Sequence, residues 1–235
     1  MDLFEKSIDL DQDVFRNIVS LRESVDLFDD LTDGDESLSE VAIEAEMRVK
    51  KDLYPAQPGL IYRGFHYNTA IGYPFETEPY MATRYGDGTF GVWYGALDLE
   101  TTLYETVYHM LRVELAVEGI SDVIIRERAV YKIHCCAILL DLCGKEIDYP
   151  QLVSNDYEFT HTIGKRLQRE GHPGLLAPSA RCGGKNIVVF NPSVLSDPIN
   201  HCFLTYSFNP DKMEVKIERE EGKVLKNIQA SALGI

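Results

Sequence analysis

The stretch Phe90-Gly91-Val92-Trp93-Tyr94-Gly95-Ala96-Leu97-Asp98-Leu99-Glu100-Thr101-Thr102-Leu103-Tyr104-Glu105-Thr106-Val107-Tyr108-His109 decides how this chain folds. Its first half alternates small and large aromatic residues between turns, which predicts a strand within Thr89–Leu97. After Asp98, residues Leu103, Val107, Met110, Leu111 and Leu115 fall on one stripe at helical spacing, so a helix is expected as far as Gly119. Glu105 lies off that stripe, with His109 and Arg112 beside it at i+4 and i+7. A carboxylate on such a face is ordinarily just solvated. The glycines of the preceding strand shift the balance, because glycine in a strand often marks the close approach of a ligand or another backbone.

Outward from this unit the texture repeats. Further strands are expected at Leu60–Phe65, Lys132–Leu142, Asn186–Phe190, Leu204–Phe208 and Met213–Glu218, each rich in Val, Ile, Tyr or Phe. A second helix is expected from about Asp156 to Gly171, with Phe159, Ile163 and Leu167 as its stripe. Six strands with few helices and no strict alternation argue for a mixed α+β domain over residues 56–235. No internal repeat or low-complexity tract is present.

The first fifth of the chain is of another kind. Residues 1–50 hold 15 Asp/Glu against 5 Lys/Arg. Two helices are expected there, one from Val14 to Phe28 and one opened by the Ser37-x-x-Glu40 capping box and reaching about Leu53. Residues 1–55 therefore read as an acidic helical extension. The loop Asp29–Glu36 between them fails as a calcium loop, because Leu31 stands at its third position, where a ligand belongs.

Composition excludes several classes. All 235 residues together carry a formal charge of −15, which opposes attraction to nucleic acid or to an anionic membrane surface. No apolar run is long enough to span a bilayer, and the N-terminus lacks a secretory pattern, so a cytoplasmic location is expected. The five cysteines, Cys135, Cys136, Cys143, Cys182 and Cys202, form neither a disulfide framework nor a CxxC pair, and no metal is expected.

Two other segments bear on chemistry. Thr83-Arg84-Tyr85-Gly86-Asp87-Gly88 is a glycine-flanked loop whose amides and guanidinium suit a phosphate. Gly171-His172-Pro173-Gly174-Leu175-Leu176-Ala177-Pro178-Ser179-Ala180-Arg181-Cys182-Gly183-Gly184-Lys185-Asn186 is built for a fixed loop conformation before a buried strand. Ser179 offers a hydroxyl to a ligand, or else bonds its own backbone as a turn serine. Neither GxGxxG, GxxxxGK[ST] nor GxSxG is present, which removes the usual dinucleotide, P-loop and hydrolase-elbow readings.

In order and texture these segments resemble the RES domain family, named for its arginine, glutamate and serine. Arg84 stands in the arginine loop, Tyr94 ten residues on, Glu105 at the start of the following helix, and Ser179 in Gly174–Ala180; Arg63 fits an arginine of the opening strand. The loop Arg84-Tyr85-Gly86 departs from relatives that have glycine before the arginine and Trp-Asn after it. The resemblance implies a split mixed or antiparallel sheet similar to diphtheria-toxin-like ADP-ribosyltransferases. It also implies a toxin of a toxin–antitoxin pair, with an Xre-like antitoxin or an immunity protein as partner and NAD as substrate.

On that basis Arg84 and Arg63 are expected to grip the diphosphate, and Tyr94 and Tyr85 to pack on nicotinamide or ribose. Glu105 is expected to stabilise the oxocarbenium-like ribose, and Ser179 to position the carboxamide or a phosphate. The reaction is then hydrolysis or phosphorolysis of the nicotinamide–ribose bond. One rival is protein ADP-ribosylation from the same site, disfavoured because Leu103 stands two residues before Glu105 where related transferases carry a second acid. The other is a catalytically silent binding module that uses the acidic N-terminal region; delivery of the chain to a target cell is a further use of that region.

Overall fold

The computed structural model describes residues 3–20, 68–76, 80–117 and 119–235. Eight strands build one sheet among them: β1 (Ser7–Val19), β2 (Trp93–Ala96), β3 (Ile124–Asp141), β4 (Gly174–Pro178), β5 (Lys185–Val189), β6 (Leu195–Asn209), β7 (Glu214–Glu220) and β8 (Lys223–Gln229). Their spatial order is β1-β2-β5-β4-β3-β6-β7-β8, and β1 pairs again with β3. The first five strands thus close a ring of pairings, from which β6, β7 and β8 extend. The sheet is mixed, because β3 runs parallel to β4 while the other pairings are antiparallel. Two long helices, α1 (Leu99–Glu114) and α2 (Glu158–Arg169), complete an α+β architecture that is mostly sheet.

The structure corrects the reading of the N-terminal extension as helical. Ser7–Val19 is a strand of 13 residues, paired residue for residue with Leu140 back to Arg128. Leu10 and Val14 are buried while Asp9, Asp11 and Asp13 face solvent, the two-residue alternation of a half-buried strand. The acidic residues here are the wet face of a core strand, so the boundary drawn at residue 55 does not set β1 apart from the sheet. The remaining expectations for that region, the Asp29–Glu36 loop, the helix from Ser37 and the strand Leu60–Phe65, lie outside the described residues.

Elsewhere the expected elements appear with shifted ends. The side chain of Asp98 caps α1, its Oδ1 accepting from the Thr101 amide at 2.7 Å. Leu103, Val107, Met110 and Leu111 bury against Leu204, Tyr206, Phe208, Val215 and Ile217 of β6 and β7. The helix stops at Glu114 rather than Gly119, and Leu115 and Val117 beyond its end are exposed rather than part of the buried stripe. Each of the buried aliphatic side chains contributes about 1.5–3 kcal/mol. Helix α2 buries Ile163 and Leu167 in a separate cluster with Tyr85, Leu142, Leu152 and Leu175.

Candidate functional site

Two close approaches position the site. A β-carbon at Gly184 would lie 1.8 Å from Thr101 Oγ1, so the 179–184 loop rests directly on the first turn of α1. A β-carbon at Gly164 would lie 1.8 Å from the Tyr85 carbonyl oxygen, so α2 presses on the arginine loop. Glycine is required at both places by space.

The first contact brings Ser179 to Glu105. Ser179 Oγ donates to Glu105 Oε1 at 2.7 Å, and Asn186 Nδ2, at the start of β5, donates to the same oxygen at 2.7 Å. Oε2 accepts no hydrogen bond among the described residues. Ser179 Oγ in turn accepts from the amides of Arg181 at 3.1 Å and Cys182 at 3.3 Å. Its hydrogen is committed to the carboxylate and its lone pairs to the backbone, so the turn-serine reading and the site reading meet in one side chain. The hydroxyl expected to meet carboxamide or phosphate is the one that holds Glu105.

The second contact orders the arginine loop. Thr83 and Gly86 form an isolated bridge, and Tyr94 closes over it, its hydroxyl accepting from the Tyr85 amide at 2.8 Å and donating to Thr83 Oγ1 at 2.9 Å. Burial pushes the phenols of both Tyr94 and Tyr85 above their ordinary value. His161 of α2 hydrogen-bonds the Thr83 carbonyl through Nε2 at 2.7 Å. Tyr94 is therefore the anchor of the loop, with its hydroxyl already engaged.

Tyr85 itself is 1% exposed inside the cluster beneath α2, so the expected packing of Tyr85 on a ligand is corrected. Arg84 turns the other way. Its Nη1 donates to the carbonyls of Leu152 at 3.2 Å and Ser154 at 2.6 Å, and its guanidinium stacks over Tyr157 at 4.7 Å. Nε and Nη2 make no hydrogen bond among the described residues. Arg63 lies outside those residues.

His109, one turn after Glu105, reports which charges gather here. Desolvation lowers its pKa, although the residue keeps an exposed edge; Glu105 opposes the shift, and Arg181, Arg84 and Arg128 add to it. Three guanidiniums and one carboxylate thus bear on a single imidazole, in a protein whose overall charge is strongly negative. Arg181 lies over Tyr108 at 3.3 Å and donates from Nη2 to Asn155 Oδ1 at 2.7 Å.

A cavity of about 390 Å³ opens beside the same loop, lined by Cys143, Val153, Ser179, Cys182 and Lys185 among others. Ser179 is a wall of this cavity; Arg84, Tyr94 and Glu105 are not. Among the described residues no group of three or more His, Cys, Asp or Glu is arranged to hold a metal.

Sequence reasoning assigned no role to Asn186, Arg128 or His161. Asn186 could have been found from its place between the serine segment and the buried strand. Arg128 had no such signal, since nothing in its neighbourhood marks β3 as adjacent to α1.

No curated protein matches the chain. Among solved structures, a chain of the crystal structure of the M. tuberculosis MbcT–MbcA toxin–antitoxin complex is 12% identical, with 83% of this chain and 86% of that chain covered and a TM-score of 0.46. The family comparison reaches the site itself: the RES domain model matches residues 52–209, two thirds of the sequence. That span contains the loop of Arg84, the anchor Tyr94, and Glu105 with both of its donors, and the chain belongs to the RES domain family.

Proposed function

We propose that this chain is a toxin that cleaves the nicotinamide–ribose bond of NAD, on a fold of the ADP-ribosyltransferase kind, acting in the cytoplasm under the control of an Xre-like antitoxin. The observation that carries the reading is the state of Glu105. One carboxylate oxygen is fixed by two donors, and the other is left for a ligand. Nicotinamide leaves as a neutral molecule with the electron pair of the broken bond, so no strong acid is needed. The ribose carbon passes through a cationic state that a fixed carboxylate stabilises far better than a mobile one. Water then adds to that carbon and releases a proton to solvent, or an anionic phosphate oxygen adds in its place.

The surrounding guanidiniums suit the diphosphate, since planar donor forks match phosphate oxygens. Arg84 keeps Nε and Nη2 for this purpose while Nη1 holds the loop. Two residues before Glu105, where related transferases carry a second acid, stands Leu103, buried in the core beneath α1, which favours transfer to water or phosphate over transfer to a protein.

The test is nicotinamide release from NAD by the purified chain, with the ribose product identified by mass. Free ADP-ribose means hydrolysis, and its 1″-phosphate means phosphorolysis. An enzyme that leaves NAD intact, with or without phosphate, refutes the proposal.

A further inference from the structure

Two guanidiniums near the site stand without a carboxylate among the described residues. Arg128 of β3 donates from Nε to Asn17 Oδ1 at 2.7 Å and from Nη2 to the Asn17 carbonyl at 3.0 Å, and lies over the Tyr206 ring at 5.7 Å. Arg16, next to Asn17 on β1, donates from Nη1 to the Tyr94 carbonyl at 2.8 Å and lies over Trp93 at 5.1 Å. Its Nε is buried with no partner among the described residues. Arg126, two residues before Arg128, is by contrast paired with Glu114 through Nε at 3.0 Å and Nη2 at 2.8 Å.

The chain has 38 acidic residues, yet none among the described residues pairs with Arg16 or Arg128. Withdrawing a charge from water without a partner costs several kcal/mol, a cost that an anionic ligand would offset. The mutual repulsion of the two cations adds to that cost.

Asn17 fixes where Arg128 points. Its amide donates to the Tyr206 hydroxyl at 2.9 Å and reaches Thr102 Oγ1 at 3.4 Å and Thr106 Oγ1 at 3.5 Å, on the turns of α1 that flank Glu105. Arg128 is thereby tied to the helix that carries the carboxylate, and it bears on His109 together with Arg84 and Arg181. Its Nη1 makes no hydrogen bond among the described residues. Arg84, in contrast, has Nη1 committed to two carbonyls.

We propose that Arg128, steadied by Asn17 of the N-terminal strand, is a binding residue for the phosphates of the ligand at the Glu105 site, an inference that rests on the NAD-cleaving reading of that site. The anchoring residue Asn17 lies on β1, outside the span matched by the RES domain model.

Two substrates separate a phosphate grip from a structural role. Nicotinamide riboside contains the same bond to be broken and no phosphate. We expect Arg128→Gln to lower the preference for NAD over nicotinamide riboside, as the ratio of kcat/KM values, by roughly 10- to 100-fold, the worth of a hydrogen bond to a charged group. Arg128→Lys, which keeps the charge but loses the planar fork, is expected to lower it less. A ratio that stays at the wild-type value in both variants overturns the inference, because a purely structural residue slows both substrates alike.

Calorimetric binding of ADP-ribose to the full chain is the second readout, and it does not depend on turnover. Weaker binding by either variant, at a wild-type melting temperature, supports the inference; equal binding by both overturns it. If the wild type binds ADP-ribose but leaves NAD intact, the cleavage reading fails while the phosphate site stands. If the wild type binds no ADP-ribose, the phosphate site fails.

Discussion

Gly164 of α2 lies against the Tyr85 carbonyl so closely that a β-carbon there would stand 1.8 Å from the oxygen. The atom in the way is backbone, so α2 or the arginine loop must move. Alanine in a free helix position gains about 1 kcal/mol over glycine, whereas overpacking costs typically about 1–3 kcal/mol. The clash should win: Gly164→Ala is expected to lower the melting temperature and to weaken NAD cleavage by displacing Arg84. A raised melting temperature would show that the loop yields freely.

Ser179 and Asn186 act through one oxygen of Glu105, so their removal should not add. Each of Ser179→Ala and Asn186→Ala is expected to lower kcat for NAD cleavage by roughly 10- to 100-fold, with a smaller change in KM. Glu105→Gln should lower it by about 10²–10³-fold while the chain stays folded. The double variant Ser179→Ala/Asn186→Ala should lose less than the product of the single losses, because once the carboxylate swings free the second donor has little left to hold. Purified variants assayed side by side decide this, and strictly multiplicative losses would mean that the two donors serve different ends.

The strand–helix unit from Trp93 to Glu114 was legible because both periodicities sit side by side in it and a capping aspartate separates them. The place of Glu105 off the apolar stripe followed from spacing alone. β1 was missed because Asp9, Asp11 and Asp13 made a buried strand resemble a solvated tail, and because Val14 and Ile18 also satisfy helical spacing. β4 reads as a loop in the sequence because Gly174 and Pro178 bound a run of only five residues, and glycine is needed there because a β-carbon would meet the Val188 carbonyl at 2.2 Å. The second donor to Glu105 and the tie of Arg128 to Asn17 depend on which strands become neighbours. That is set by the closure of β1 onto both β2 and β3, and no local pattern encodes it.

The imidazole of His109 gives a pH test. Its folded-state pKa lies below the ordinary 6.5, first through desolvation and then through Arg181, Arg84 and Arg128. Below about pH 6.5 the unfolded chain takes up the proton more readily than the folded one, so stability present above that pH is lost as pH falls through the folded value. His201 is shifted in the same direction, so the contribution is isolated by comparison with a variant. The wild type should lose more melting temperature than His109→Asn between about pH 7.5 and about pH 5.5. In the NMR titration, Arg181→Gln should raise the His109 pKa, and Glu105→Gln should lower it. Shifts of the opposite sign would place those charges elsewhere.

Truncation tests whether the N-terminal strand belongs to the domain. A chain beginning at residue 52 retains every residue matched by the RES domain model but lacks β1. It loses Leu3, Leu10 and Val14 from the core, about 5–9 kcal/mol of burial at roughly 1.5–3 kcal/mol each. It also loses the 13-residue ladder to β3 and the tie from Asn17 to α1. Against a whole-domain stability of about 5–15 kcal/mol, little remains. The truncated chain is therefore expected to be insoluble or to lack a cooperative thermal transition, while adding a peptide of residues 1–20 in trans should restore part of the fold. A cooperative melt from the truncated chain alone, with circular dichroism like that of the full chain, would show that the ring of strands closes without its first member.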